Sequence, residues 1–149
     1  MGDYRFVADV HLAKLAKYLR LLGIDTLYFT HIEDSELIDI SNREQRWILT
    51  KDRELSQRAP RALLIKSNLL KEQLREVLKR FEPKTSPFSR CLKDNAILEK
   101  VEKKEVLEYL PPKVKEFYEE FWRCGECGRI YWHGSHYEKM KSFIDEVGG

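Results

Sequence analysis

The chain has 149 residues, 42% hydrophobic and 35% charged, with 27 Lys and Arg against 25 Asp and Glu. This size allows one full domain, or a compact domain with a small appendage. Charges nearly balance in both halves of the chain, which excludes a strongly basic nucleic-acid-binding tail. No run approaches the roughly 20 apolar residues of a membrane span, and the N-terminus lacks a signal peptide's apolar segment. We therefore expect a cytoplasmic protein without a membrane partner.

Strand and helix patterns alternate through the first half of the chain. Short apolar runs predict buried strands, and apolar residues at spacings of three and four predict amphipathic helices. The first helix is expected to stop at Gly23. Strands are predicted at 5–8, 26–29, 47–50 and 62–65, and helices at 12–22, 36–45, 53–58 and 70–81. This βαβαβαβα order predicts an α/β fold with a parallel sheet.

The segment 83–87 contains two prolines, two small hydroxyl residues and no core candidate, which is typical of a linker. It predicts two domains, 1–84 and 85–149. In the second domain a helix is expected after Pro111 and Pro112, on apolar residues at helical spacing. These residues are Val114, Phe117, Tyr118 and Phe121. The second domain has too little core to fold without a metal ion or its neighbour.

Carboxylates follow the predicted strands where a parallel α/β sheet usually has its binding crevice. Asp9 follows the first strand and Asp52 follows the third, each within two residues, and Asp34 and Glu36 follow the second strand. Carboxylates at one sheet edge can hold Mg²⁺ or Mn²⁺ together with a substrate phosphate. Each Asp taken singly also fits a helix N-cap, but their joint position favours metal-dependent cleavage of phosphodiester bonds.

Four cationic side chains lie close in sequence to these carboxylates. Lys14 and Lys17 belong to the first predicted helix, and Lys51 and Arg53 flank Asp52. Each is a candidate for binding the phosphates of an RNA substrate. Lys14 and Lys17 also fit a solvated helix face.

Four segments of the chain, 9–23, 34–37, 48–55 and 124–136, resemble the Mut-seven C-terminal RNase domain family. This family joins a PIN-like nuclease domain to a zinc ribbon. The resemblance implies a PIN-like three-layer α/β/α fold with a parallel central sheet, followed by a small zinc-ribbon-like domain. It also implies a Mg²⁺- or Mn²⁺-dependent ribonuclease. The implied acidic cluster is Asp9, Asp34 and Asp52, with Glu36 as a substitute or addition.

One departure from this pattern lies after the fourth predicted strand. Many PIN domains have a further acidic residue there, whereas this chain has Ser67 and Asn68. These neutral side chains weaken metal binding relative to a site of four carboxylates. They support an alternative in which the chain is a catalytically inactive RNA-binding or protein-interaction module that retains the fold.

The three cysteines, Cys91, Cys124 and Cys127, favour metal binding over a disulfide framework. Cys124 and Cys127 have the spacing of one half of a zinc site, and Asp94 stands where the resembled family has the second cysteine of the other half. Zinc accepts a carboxylate oxygen, so Cys91, Asp94, Cys124 and Cys127 are the expected zinc ligands. His133 or His136 is an alternative fourth ligand, because imidazole suits a thiolate site. Loss of the metal is the other alternative.

Aromatic and cationic residues are dense near the C-terminus. Bases of single-stranded RNA stack on such surfaces, and Trp132 and His136 are the candidate RNA-binding residues. Packing against the rest of the protein is an equally good explanation of Trp132.

Overall fold

The computed structural model describes residues 3–148. The chain divides into two compact units, the first ending at Asn95 and the second beginning at Ala96. The domain boundary between residues 84 and 85 stays a prediction. Within residues 3–148 no helix combines the length and the apolar character that crossing a bilayer requires.

The first unit alternates strands and helices in the order predicted from the sequence. Its strands are β1 (Phe6–Ala8), β2 (Thr26–Tyr28), β3 (Trp47–Thr50) and β4 (Ala62–Leu64). Its helices are α1 (Ala13–Leu21), α2 (Asp34–Glu44), α3 (Arg53–Arg58) and α4 (Leu70–Phe81), with a 3-10 turn at Val10–Leu12 before α1. The α/β prediction is confirmed.

The four strands form one parallel sheet in the order β2-β1-β3-β4. Ala8 at the end of β1 is paired with Tyr28 of β2 and Leu49 of β3. The central strands are buried on both faces, which explains why they are almost entirely apolar. Because all strands run the same way, the residues that follow them lie along one edge of the sheet.

Helices cover both faces of the sheet. On one face, Val7 and Ile48 pack against Leu37 of α2 and Leu55 of α3. On the other face, the ring of Phe81 in α4 lies 5.0 Å from that of Phe6, centroid to centroid. The alternation of side chains along β1 therefore supplies both cores from one strand.

The end of α1 is packed against the segment that follows α4. Gly23 has φ +80°, and a Cβ there would lie 2.2 Å from the carbonyl oxygen of Ser86, so only glycine fits. The backbone N–H groups of Ser86 and Phe88 donate to the carbonyls of Leu22 and Leu21. The predicted linker residues 83–87 thus form no helix or strand, yet Ser86 is tied to the first unit.

The second unit contains an antiparallel sheet in the order β5-β6-β7. Its strands are β5 (Leu98–Val101), β6 (Phe121–Cys124) and β7 (Ile130–Tyr131). Its helices are α5 (Lys103–Val106), α6 (Pro112–Phe117) and α7 (Ser135–Gly148), with a 3-10 turn at Leu107–Tyr109. Val106, Leu110 and Phe121 form its small buried core.

The spacing of Phe121 from Phe117 predicts that both belong to one helix, but Phe121 lies in a strand. The helix α6 ends at Phe117, and Tyr118 is already extended. Phe121 begins β6, pairs with Val101 of β5 and is fully buried. Burial in the sheet core outweighs the local helical pattern, because tertiary packing overrides propensity over so short a stretch.

Candidate functional site

Asp9 and the end of β3 are joined by a buried side chain. The hydroxyl of Thr50, which has no exposed surface, donates to Oδ2 of Asp9 at 2.7 Å and accepts from the backbone N–H of Asp52 at 3.0 Å. The Asp9 backbone N–H donates to the carbonyl of Leu49. Asp9 precedes a 3-10 turn, but its side chain makes no capping bond. The carboxylate of Asp9 is therefore fixed in direction without serving as a helix cap.

Asp52 is the N-cap of α3. Its Oδ1 accepts the backbone N–H groups of Glu54 at 2.9 Å and Leu55 at 3.2 Å. Both capping bonds go to the same oxygen, so Oδ2 of Asp52 is not used by the cap. The two roles that the sequence left open, helix cap and metal ligand, are compatible in one side chain because they use different oxygens.

Asp34 is the first residue of α2, and Glu33 before it is the N-cap position. Oδ2 of Asp34 lies 3.4 Å from a guanidinium nitrogen of Arg58 in α3, and both side chains are half exposed. Asp34, Arg58 and Ile38 line an open recess. Glu36 is exposed on the first turn of α2.

The loop after β4, which carries Ser67 and Asn68, is held by three side chains. Glu76 of α4 accepts the backbone N–H groups of Lys66 at 3.0 Å and Ser67 at 3.1 Å. Lys51 and Gln73 both donate to the carbonyl of Ser67, at 3.0 Å and 2.9 Å. Lys51, a candidate phosphate ligand, is thus bound to this loop.

The other candidate phosphate ligands have simpler surroundings. Arg53 is exposed at the start of α3, next to Asp52. Lys14 is exposed on α1, and Lys17 is partly exposed one turn later. Arg53 is the one of these three that directly follows a strand-end carboxylate in the chain.

A second group of chemistry-bearing side chains consists of Cys91, Asp94, Cys124 and Cys127, which we call the cysteine cluster. Within residues 3–148 these are the His, Cys, Asp or Glu side chains whose ligand atoms already lie close enough together, within 4.8 Å of one another, to hold a metal ion. Asp9, Asp34 and Asp52 are not grouped in this way. Ligand atoms around a tetrahedral zinc are about 3.8 Å apart at a Zn–S distance of about 2.3 Å. Three thiolates and a carboxylate can therefore bind a metal ion such as zinc.

The Cys124–Cys127 segment has the form of a metal-binding turn. The backbone N–H of Cys127 donates to Sγ of Cys124 at 3.5 Å, and that of Gly128 donates to the Cys124 carbonyl at 2.8 Å. Gly128 has φ +77°, the left-handed conformation that glycine favours. The turn therefore directs one backbone N–H, that of Cys127, toward the sulfur of Cys124.

His133 belongs to an aromatic stack. Its ring lies between Trp122, at a centroid distance of 4.4 Å, and Tyr137, at 3.8 Å, with interplanar angles of 16° and 9°. Burial lowers the pKa of His133 below its usual value, although the charges of Glu120 and Glu138 oppose the shift. Asp94, and not His133 or His136, is the fourth member of the cysteine cluster.

Trp132 and His136 lie in different surroundings. Trp132 packs against the core of the second unit, with its ring 6.2 Å from that of Phe121 in an edge-on arrangement. His136 is exposed in the first turn of α7. The contacts of Trp132 are therefore those of a packing residue, whereas His136 is accessible to a ligand.

The Mut7-C RNAse domain family matches residues 4–144, nearly the whole chain. The chain belongs to this family. The resemblance inferred from the sequence motifs is thereby confirmed, and Mut7-C membership points to a nuclease. Comparison with curated proteins and with solved structures gives no match.

Three side chains that contact the candidate site residues or the loop after β4 were not predicted from the sequence. They are Thr50, Arg58 and Glu76. Thr50 reads as an ordinary strand residue, but its position two residues before Asp52 is a usable signal, because Ser and Thr hydroxyls often accept an N–H two residues on. Arg58 and Glu76 make these contacts from helices, and nothing in their local sequence indicates it.

Proposed function

We propose that the protein is a PIN-like ribonuclease that hydrolyses RNA phosphodiester bonds with Mg²⁺ or Mn²⁺. Family membership supports a nuclease, and the observation on which the proposal rests is the pairing of Asp9 and Asp52 through Thr50 at one edge of the sheet. The proposed acidic cluster is Asp9, Asp34 and Asp52, with Glu36 at its margin.

The oxygen donors of this edge suit a hard divalent cation. Oδ1 of Asp9 and Oδ2 of Asp52 are not used by the hydrogen bonds that fix these two side chains. Mg²⁺ and Mn²⁺ need only a few carboxylates, because water and the substrate phosphate complete the shell. Asp34 is the third donor once its contact with Arg58 is broken.

The chemistry is divided between the ion and the chain. When bound, the ion supplies a nucleophile from water at neutral pH and neutralises charge on the phosphate. Thr50 orients Asp9, and the cap of α3 orients Asp52, so both carboxylates are positioned before substrate binds. Arg53 and Arg58 are exposed cations at this edge and are proposed to bind phosphates of the RNA backbone.

The C-terminal part is proposed to be a zinc-ribbon-like domain in which zinc is structural. Cys91, Asp94, Cys124 and Cys127 form a closed set of four ligands, which is typical of structural rather than catalytic zinc. The domain's proposed role is to help place RNA, with His136 as its accessible contact.

RNA cleavage by purified wild-type protein with Mg²⁺ or Mn²⁺ tests the proposal. Asp9→Asn is expected to lower the rate at least about 100-fold, because the ligand loses its charge. The matched control is Asp39→Asn, which removes an exposed carboxylate of α2 that pairs with Arg43 away from the sheet edge. Equal rates for wild type and Asp9→Asn would overturn the proposed mechanism.

The alternative is a catalytically inactive module that binds RNA. The neutral Ser67 and Asn68 favour it, because they replace a carboxylate expected in many PIN domains. Wild-type protein that binds RNA but shows no chelator-sensitive cleavage of single-stranded or structured RNA would establish this alternative in place of the nuclease.

A further inference from the structure

The first half of the cysteine cluster lies on a turn that is anchored to the α/β sheet. Cys91 and Asp94 belong to this turn, which is closed by a hydrogen bond from the Asn95 N–H to the Cys91 carbonyl at 2.9 Å. Asn95 is buried and has φ +74°, a conformation that asparagine tolerates better than most residues. All residues of the turn and its anchors precede Ala96.

Arg20 of α1 holds the middle of the turn. One guanidinium nitrogen donates to the carbonyls of Leu92 and Lys93, both at 3.0 Å, while Nε donates to the carbonyl of Thr26 in β2 at 2.8 Å. The side chain is 6% exposed. One buried guanidinium therefore fixes the backbone between Cys91 and Asp94 relative to β2.

Asn95 anchors the end of the same turn to the same strand. Its Oδ1 accepts the backbone N–H of Thr26 at 3.0 Å, and its Nδ2 donates to Oδ1 of Asp25 at 2.6 Å. Arg90 donates to the Asn95 carbonyl at 2.8 Å. Both backbone polar groups of Thr26 are thus bound by the side chains that fix the turn.

The other end of β2 contacts the segment that follows Asp9. The hydroxyl of Tyr28 donates to the carbonyl of Val10 at 2.8 Å, and Tyr28 is paired with Ala8 in the sheet. A three-residue strand therefore connects the metal-ligand turn to the residues on either side of Asp9.

We propose that Arg20 and Asn95 are positioning residues for the metal, which hold the Cys91–Asp94 turn in its ligand conformation, and that metal binding in turn stabilises β2. The inference rests on zinc binding by the cysteine cluster and is independent of the proposed nuclease activity. Groups that orient metal ligands change metal affinity by about 10–100-fold when removed, although they never touch the ion.

The zinc dissociation constant, measured by competition with a chromophoric chelator, tests the positioning role. Arg20→Lys keeps the charge but cannot reach both Thr26 and the turn, and Asn95→Gly keeps the left-handed backbone but removes both side-chain bonds. Each is expected to weaken zinc binding by about 10–100-fold, with helix content retained by circular dichroism when zinc is saturating.

The matched control is Glu76→Gln. Glu76 fixes the backbone of Lys66 and Ser67 through two hydrogen bonds, much as Arg20 fixes the turn, but it has no contact with the ligand turn. Its zinc affinity is expected to stay within about twofold of wild type, because it orients no ligand. If folded Asn95→Gly binds zinc as tightly as wild type, the positioning inference is wrong while the zinc assignment stands. If wild-type protein does not bind zinc, both the inference and the zinc assignment are wrong.

A measurement on wild-type protein does not depend on a variant that folds. Hydrogen exchange at the Thr26 N–H, which donates to Asn95, is expected to slow at least about tenfold when zinc is added to the chelated protein. The backbone N–H of Ser56 in α3, bonded to the Asp52 carbonyl, serves as the internal reference and is expected to change less. Equal exchange at Thr26 with and without zinc would refute the coupling.

Discussion

Asp9 and Asp52 share one hydroxyl group, that of Thr50, which donates to the carboxylate of the first and accepts the backbone N–H of the second. Thr50→Val keeps the shape but removes the partner of the part-buried Asp52 N–H, and we expect it to lower the free energy of unfolding by about 0.5–1.5 kcal/mol. RNA cleavage is expected to fall with it. Thr50→Ser, which keeps the hydroxyl, is expected to retain most of the stability and most of the cleavage rate. Urea denaturation and cleavage assays measure the two quantities.

The capping role of Asp52 and its proposed role as a metal ligand can be separated by substitution. Asn is as good an N-cap as Asp, so Asp52→Asn is expected to keep wild-type stability within about 0.5 kcal/mol while losing metal-dependent cleavage. Asp52→Ala should lose cleavage and also about 0.5–2 kcal/mol of unfolding free energy. Thermal denaturation and cleavage rates measured on the same preparations check this. Full activity in Asp52→Asn would assign the residue to capping alone.

In the proposed acidic cluster, Arg58 is expected to compete with the metal ion for Asp34, because its guanidinium contacts the same carboxylate. Arg58→Gln is expected to tighten Mn²⁺ binding by up to about fivefold, the range of an exposed ion pair. Isothermal titration with Mn²⁺ measures this directly. Arg43→Gln, which breaks the exposed Arg43–Asp39 pair of α2, is the control and should leave Mn²⁺ affinity unchanged. Weaker Mn²⁺ binding in Arg58→Gln would remove Asp34 from the ligand set.

Replacing Asp94 changes the donor set of the cysteine cluster in a predictable direction. Asp94→Cys supplies a fourth thiolate, the softer ligand that zinc favours in structural sites, and is expected to tighten zinc binding. Asp94→Ala leaves three protein ligands and is expected to weaken it. Competition with a chelator ranks the three proteins. An affinity of Asp94→Ala equal to wild type would show that the carboxylate is not a ligand.

Asp25 gives the first unit a defined acid sensitivity. Burial raises the pKa of Asp25, but hydrogen bonds from Arg46 and Asn95 and the charges of Arg46 and Arg90 bring it below its ordinary value. A lowered folded pKa means that the carboxylate's stabilising contribution is complete above its unfolded pKa of about 4 and is lost as pH falls through the folded value.

Asp25→Asn should therefore be less stable than wild type at neutral pH and should lose less stability between about pH 5 and about pH 2. Urea midpoints across this range give the slope. The control variant is Asp39→Asn, which removes an exposed carboxylate that pairs with Arg43. The wild-type slope in Asp25→Asn would contradict the assignment.

The alternation of the first unit was predictable because its signals are local. Apolar runs identify β1 and β3, and periodic leucines identify α1 and α4 over nine to twelve residues. The strands of the second unit were not predicted, since Leu98–Val101 and Phe121–Cys124 mix charged with apolar residues and form no continuous apolar run. Phe121 was placed in a helix for this reason.

The candidate site was likewise predictable only where its signals are local. Asp9, Asp34 and Asp52 were selected because strand ends can be located from sequence, and the cysteine spacing is also local. The hydrogen bond from Thr50 to Asp9 and the contact of Arg58 with Asp34 depend on residues that the fold brings together. No sequence pattern encodes such contacts, which connect positions 41 and 24 residues apart.

The strand β2 lies at the edge of the parallel sheet, where exposed N–H and C=O groups can recruit a strand from another molecule. Here the outward N–H and C=O of Thr26 are already taken by Asn95 and Arg20. Arg20 and Asn95, which hold the Cys91–Asp94 turn, therefore also shield this part of the edge against intermolecular pairing. With zinc bound as proposed, its prolonged depletion is expected to cause self-association through β2, a loss of colloidal stability that precedes global unfolding.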